Sequence, residues 1–335
     1  MKKLFIMGLA AMGLALTACN SDETVEMAKG KAIGFSSFVD KSTRGAADDV
    51  TLTNLGSVEL YGWRGDDVLF NKQVLNVDDN GVSSYSPLRY WEAGYTYNFE
   101  AIAPKAGVNG VEFAAAKTGG TITFTNNATT DLLYVKAAEK TMEAEIKSAP
   151  AEVELNFAHQ LARVKFTFKN TFPANAAAKI SVKDVKITNA YKKGSITPAA
   201  ENAKWTVDAT NKDLVVAFAN STNTEKAPTN LVAGTGVGET DHMYLIPTAD
   251  ATTEYTVTFT VTLDQNGVTT DYKHSVTFKA TQEQGKSYNY VAEINEKNIN
   301  PNPNEQLFPI EFTAKVADWG TWSNDVTIMK PAASK

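Results

Sequence analysis

The chain has 335 residues, a formal net charge of −6 and a single cysteine. With no basic stripe to follow phosphates and no zinc-finger or RNA-binding signature, a nucleic-acid partner is excluded. One thiol excludes an internal disulfide framework, so a hydrophobic core must hold the fold, and the length suggests about two domains.

Residues 1–18 read as a secretory signal. Lys2 and Lys3 precede an apolar run that is, at about 15 residues, too short for a comfortable membrane span. The run ends in Leu16-Thr17-Ala18-Cys19, which resembles the lipobox of bacterial lipoproteins, with Cys19 as the lipidated residue and outer-membrane anchor. The following Asn20-Ser21-Asp22-Glu23 resembles a surface-export signal or serves as a solvated tether. Next come Ile33, Phe35, Ser37 and Val39 at every second position, a strand with one apolar face. A polar linker follows it, and Arg44-Gly45 within that linker is expected to be open to a protease.

The rest alternates as β-structure, clearest at 58–63, 95–103, 153–157, 164–168, 255–263 and 288–294. Asn80-Gly81, Asn109-Gly110 and Asn266-Gly267 suit tight turns, and the last predicts a hairpin. Ala-rich 114–117 and 174–179 predict short helical turns at most. Alternation stops at Lys147-Ser148-Ala149-Pro150, which places one domain at 45–150 and the next at 151–335. Many short strands with frequent turns predict an all-β chain built from antiparallel sandwiches.

Catalytic signatures are missing from the sequence. His159, His242 and His274 lack metal-ligand spacing and read as packed or surface strand residues. Residues 280–287 fit a relaxed P-loop pattern, but a strand rather than a helix follows, so Gln284-Gly285-Lys286 reads as a turn. Asp78-Asp79-Asn80-Gly81 has turn composition and lacks EF-hand spacing. Aromatics crowd 90–99, and Trp319 and Trp322 lie near the other end; at strand spacing such rings are more often core than sugar platforms.

Near the C-terminus Ile310, Phe312, Ala314 and Val316 repeat the pattern of the N-terminal strand. Both segments would fit one groove, and burying such a face contributes very roughly 5–10 kcal/mol. A cut after Arg44 would free the strand of Ile33, Phe35, Ser37 and Val39, and another copy's C-terminal strand would replace it.

The order of motifs resembles the fimbrillin family of Bacteroidales, the subunits of type V pili. The lipobox and Ser42-Thr43-Arg44-Gly45 match its precursor layout. So do Trp91-Glu92-Ala93-Gly94 with Tyr97, Phe99 and Ala101, then Asp131-Leu132-Leu133, Phe157-Ala158-His159-Gln160-Leu161 with Arg163, and Gly285-Lys286-Ser287-Tyr288 with 310–319. The resemblance implies two transthyretin-like β-sandwich domains, 45–150 and 151–335, after a 19–44 propeptide. It also implies lipidation at Cys19, cleavage at Arg44-Gly45 by an Arg-specific protease, and displacement of the N-terminal strand. The donor strand would come from within 308–329, carrying Ile310, Phe312, Ala314 and Val316. Its implied partners are other pilus subunits, the outer membrane through the Cys19 lipid, and a host or bacterial surface ligand. No catalysis and no cofactor are expected. The alternative is a non-polymerising surface lipoprotein that binds glycans or host ligands through exposed Trp and Tyr.

Overall fold

The computed structural model describes residues 32–39, 49–219, 231–249, 253–302, 308–319 and 322. The signal 1–18, Cys19, Arg44, Gly45 and the tail 323–335 lie outside the described residues. The fold is all-β. Helical structure among the described residues is limited to two single 3-10 turns, Leu52–Asn54 and Ala209–Asn211.

The alternating runs form strands at Ser57–Arg64, Thr96–Ala103, Val153–His159, Ala162–Asn170, Glu254–Gln265 and Lys286–Ile294. In Val153–His159 the physical reason is plain: Val153, Leu155 and Phe157 are buried while Glu154 and Asn156 are exposed. Asn266 and Gly267, both at positive φ, close the two-residue hairpin between Glu254–Gln265 and Val268–Lys279. The Ala-rich segments do not make helical turns. Ala114 ends the strand Val111–Ala114. The Ala176 N–H donates to the Pro173 carbonyl in a tight turn, and Ala178–Ala190 is a strand. There β-branched Ile180, Val182, Val185 and Ile187 are buried in the core, which outweighs the helix preference of alanine.

An eight-stranded sheet runs Phe35–Val39, Val153–His159, Leu133–Lys136, Thr96–Ala103, Ser57–Arg64, Asp67–Val77 and Ser83–Ser84, with Lys140–Thr141 beside Thr96–Ala103. One five-stranded sheet orders Val237–Glu239, Ala162–Asn170, Lys286–Ile294 and Phe312–Asp318, with Met243–Leu245 also on the second of these. Another orders Leu214–Ala217, Ala178–Ala190, Glu254–Gln265 and Val268–Lys279, with Leu231–Val232 on its second strand. These two share a core that includes Phe166, Phe168, Val182, Phe259 and Phe312, as sandwich layers do. A four-stranded sheet joins Thr206–Val207, Lys193–Ile196, Thr121–Thr125 and Val111–Ala114.

Among the described residues most pairs are antiparallel, as expected, but two are parallel: Phe35–Val39 with Val153–His159, and Ala162–Asn170 with Lys286–Ile294. Parallel partners need long connections, and more than a hundred residues separate each pair. Sheet membership changes between His159 and Ala162 rather than at 150/151. Pro150 breaks the alternation, but the strand that resumes at Val153 still belongs to the first sheet. The four-stranded sheet takes two strands from each side of that point, so the halves are interlocked.

Candidate functional site

The N-terminal strand lies in a slot. Ile33, Phe35 and Ser37 are buried and Val39 is half-buried, whereas Phe38 points outward at 46% exposure. One edge pairs in parallel with the Val153 strand, from Phe35 opposite Val153 to Val39 opposite Phe157. The other edge is bonded to a different part of the chain. The Ile33 N–H donates to the Arg89 carbonyl at 2.8 Å and the Ser37 N–H to that of Gly81 at 2.7 Å. The Tyr85 hydroxyl donates to the Ile33 carbonyl at 2.8 Å. Phe35 meets Phe70, Tyr85 and Phe99 edge-on, with centroids 5.8, 5.8 and 5.3 Å away. Such aromatic pairs contribute about 0.5–1.5 kcal/mol each beyond their burial. Asp78 Oδ1 accepts from the Asn80 and Val82 N–H groups, which shapes the turn that presents Gly81. Gly81 has φ +84°, and a Cβ there would lie 2.3 Å from the Ser37 carbonyl oxygen. Only glycine lets that turn come so close.

The C-terminal strand repeats the pattern in other surroundings. Ile310 and Phe312 are buried, and Ala314 and Val316 are half-buried. The strand Phe312–Asp318 pairs antiparallel with Lys286–Ile294 at the end of its sheet. The Phe312 ring lies 5.2 Å from Phe166, 6.1 Å from Phe168, 6.0 Å from Phe259 and 5.5 Å from Phe278. Phe312 is thus a core residue of its own sandwich.

Between these strands sits a buried polar cluster. Asp49 and Arg163, both fully buried, form an ion pair. Asp49 Oδ1 accepts from the Tyr244 hydroxyl at 2.9 Å and lies 3.1 Å from His242 Nε2. Burial alone would raise the Asp49 carboxyl; the His242 hydrogen bond, the Arg163 charge and the Tyr244 hydroxyl outweigh it and hold the group below the usual range. Burial in turn pushes the Arg163 guanidinium down, against Asp49, and drives the Tyr244 phenol up. Arg163 Nε donates to Ser287 Oγ at 2.7 Å. His159 Nδ1 lies 3.0 Å from the Asp131 carboxylate, whose Oδ2 accepts from the Val50 N–H at 3.1 Å. Trp319 closes the cluster: it stacks on His159 at 4.1 Å and 15° and on Tyr244 at 5.8 Å and 7°. The Arg163 guanidinium lies 5.4 Å from the Trp319 ring and 4.4 Å from that of Trp322.

The model of the family described as fimbrillin-like matches residues 20–319. The chain belongs to the fimbrillin-like family. A fimbrial protein from Bacteroides vulgatus matches with a TM-score of 0.60 at 16% identity, over 86% of this chain and 99% of that one. A candidate cell adhesion protein from Bacteroides ovatus matches with a TM-score of 0.51 at 15% identity, over 86% and 98%. The fimbrial anchor protein Mfa2 from Porphyromonas gingivalis matches more loosely, with a TM-score of 0.39 at 12% identity, over 86% and 98%. No curated protein matches.

In this fimbrillin-like chain the motifs that carried the resemblance converge. Asp131 meets His159, Arg163 pairs with Asp49, and Trp319 covers them. Trp91 instead lies in the first core, 4.7 Å from Tyr97 and 6.0 Å from Phe99. His274 lies outside the cluster, stacked on Phe259 at 5.1 Å. No group of metal-ligating side chains occurs among the described residues. Gln284-Gly285-Lys286 leads straight into the strand Lys286–Ile294, so no helix N-terminus faces a phosphate there. Trp319, read above as more often core than sugar platform, is 6% exposed and takes part in the stack. Sequence reasoning missed Asp49, His242 and Tyr244 as partners. Their separation along the chain leaves no local signal.

Proposed function

We propose that the chain is a structural and adhesive subunit of a cell-surface pilus, assembled by strand exchange after proteolysis. Fimbrillin-like membership and the fimbrial and adhesion neighbours support a pilus or adhesion subunit. The observation that carries the finer reading is the slot. A strand bonded along both edges, with Phe35 in a nest of rings, leaves two open edges and a ring-sized recess when it departs. Arg44-Gly45 lies a few residues beyond Val39, so a cut by an Arg-specific protease severs the strand from the rest of the chain. In this reading 1–18 is the signal, Cys19 carries the lipid that holds the precursor at the outer membrane, and 19–44 is the propeptide. The chain then forms two β-sandwich domains, and the assembled pilus stands on the cell surface. Its partners are other pilus subunits and a surface ligand, and no step calls for catalysis.

The donor falls within 308–329. Ile310, Phe312, Ala314 and Val316 match the plug's inward face, and moving them exchanges one buried apolar face for another of similar size. The cost is the sandwich recess that Phe312 vacates, and a donor that begins beyond Trp322 avoids it. The test starts from the chain lacking 1–18, cut with trypsin after Arg44, confirmed by mass and run unboiled on a denaturing gel. A ladder of polymers is expected. Two truncations locate the donor: a chain ending at Trp322 and one ending at Leu307. Loss of the ladder only in the shorter chain assigns the Phe312 strand as donor; loss in both assigns the tail. Clean cleavage with monomer alone in the intact chain overturns strand exchange.

A further inference from the structure

Two distant parts of the chain are held by the same side chains. Residues 49 and 50 directly follow the linker that contains Arg44; Trp319 directly follows the C-terminal strand Phe312–Asp318. Arg163 pairs with Asp49 and presents its guanidinium to the Trp319 ring. Tyr244 donates its hydroxyl to Asp49 and stacks its ring on Trp319. Through its ring edge His159 holds Asp131, which takes the Val50 N–H, and it stacks its ring face on Trp319. Arg163 also reaches the strand through Ser287, whose backbone pairs with Ala317. All three shared side chains are buried, so each is positioned by packing on both sides at once.

We infer that this cluster is a latch coupling the two ends of the folded chain. Seating of Asp49 favours seating of Trp319, and departure of Trp319 loosens Asp49; the coupling is reciprocal by thermodynamic necessity. The segment just downstream of Arg44 therefore sets how readily the Phe312–Asp318 strand leaves its sandwich. A buried ion pair suits this role, because removing one partner leaves the other charge in a costly environment. The latch rests on contacts within one chain and stands whether or not strands exchange between copies.

Hydrogen exchange of backbone amides on the full chain tests it. Asp49→Asn is expected to speed exchange across 312–318 by about tenfold or more, a coupling of about 1.4 kcal/mol, and to leave Thr96–Ala103 unchanged. Trp319→Leu is expected to speed exchange at 50–55 by a similar factor. Acceleration confined to the mutated end in both variants overturns the latch. If Asp49→Asn loosens Thr96–Ala103 as well, the milder Tyr244→Phe decides, because it keeps the ring on Trp319 and removes the hydroxyl that contacts Asp49 and His242. The latch predicts that Tyr244→Phe speeds exchange at 312–318 in the native background and has little further effect beside Trp319→Leu. Equal effects in both backgrounds overturn it. A missing polymer ladder changes none of these outcomes.

Discussion

Phe35 touches three other rings of the first core, so replacing it with alanine removes both burial and packing. The expected cost of Phe35→Ala is about 3–5 kcal/mol, read as a lower denaturant midpoint by tryptophan fluorescence. The outward Phe38 is the control: Phe38→Ser should change stability by less than about 0.5 kcal/mol. His274 gives a pH dependence. Burial lowers its pKa from 6.5 to about 4, against a backbone hydrogen bond with Ile299. Between those values the unfolded chain binds the proton more readily than the folded one. Stability is therefore full above about pH 6.5 and is lost as pH falls towards 4, by up to about 3 kcal/mol. Melting temperatures across that range should fall less steeply in His274→Phe. The inward face of Ile33 and Phe35 was legible in the sequence because alternation with period two reports burial directly. The role of Asp49 was not, because its partners Arg163, His242 and Tyr244 come from strands and loops far along the chain.

At the scale of strands, two segments with one pattern have different surroundings. The N-terminal strand is bonded on both edges, one of them parallel; among the described residues the C-terminal strand pairs on one edge, antiparallel. A one-dimensional pattern fixes which side chains share a face but says nothing of how many neighbours the backbone has. The position of Val153–His159 shows the same limit. Proline at 150 reads as a boundary, yet the strand beyond it completes the first sheet. In the full chain, Leu155→Ala should thus cost about 2–5 kcal/mol, whereas Asn156→Ala, on the exposed face, should change stability by less than about 0.5 kcal/mol. Denaturant midpoints of the two variants check this, and equal midpoints would sink the inward packing of that strand on the first sheet. Hairpins were legible wherever the turn itself demanded a left-handed backbone, as at Asn266-Gly267.

Across the whole molecule, a four-stranded sheet and a shared polar cluster tie together the two halves for which length suggested about two domains. That organisation could not be read from runs of residues, since the four-stranded sheet draws Thr121–Thr125 and Lys193–Ile196 together across the sheet change. The all-β character was legible because most of the chain alternates. Gly81 carries a last consequence. A side chain there would strike the Ser37 carbonyl, a backbone atom common to every residue type. That point of the slot is therefore blind to the identity of its occupant, and Gly81→Ala should evict the chain's own strand and any incomer alike. Under the proposed exchange, discrimination comes from the buried side-chain positions, chiefly the recess that Phe70, Tyr85 and Phe99 build around position 35. Kinship among subunits would then be judged by the whole inward face of Ile33, Phe35 and Ser37, and a foreign strand with that face would pass as native.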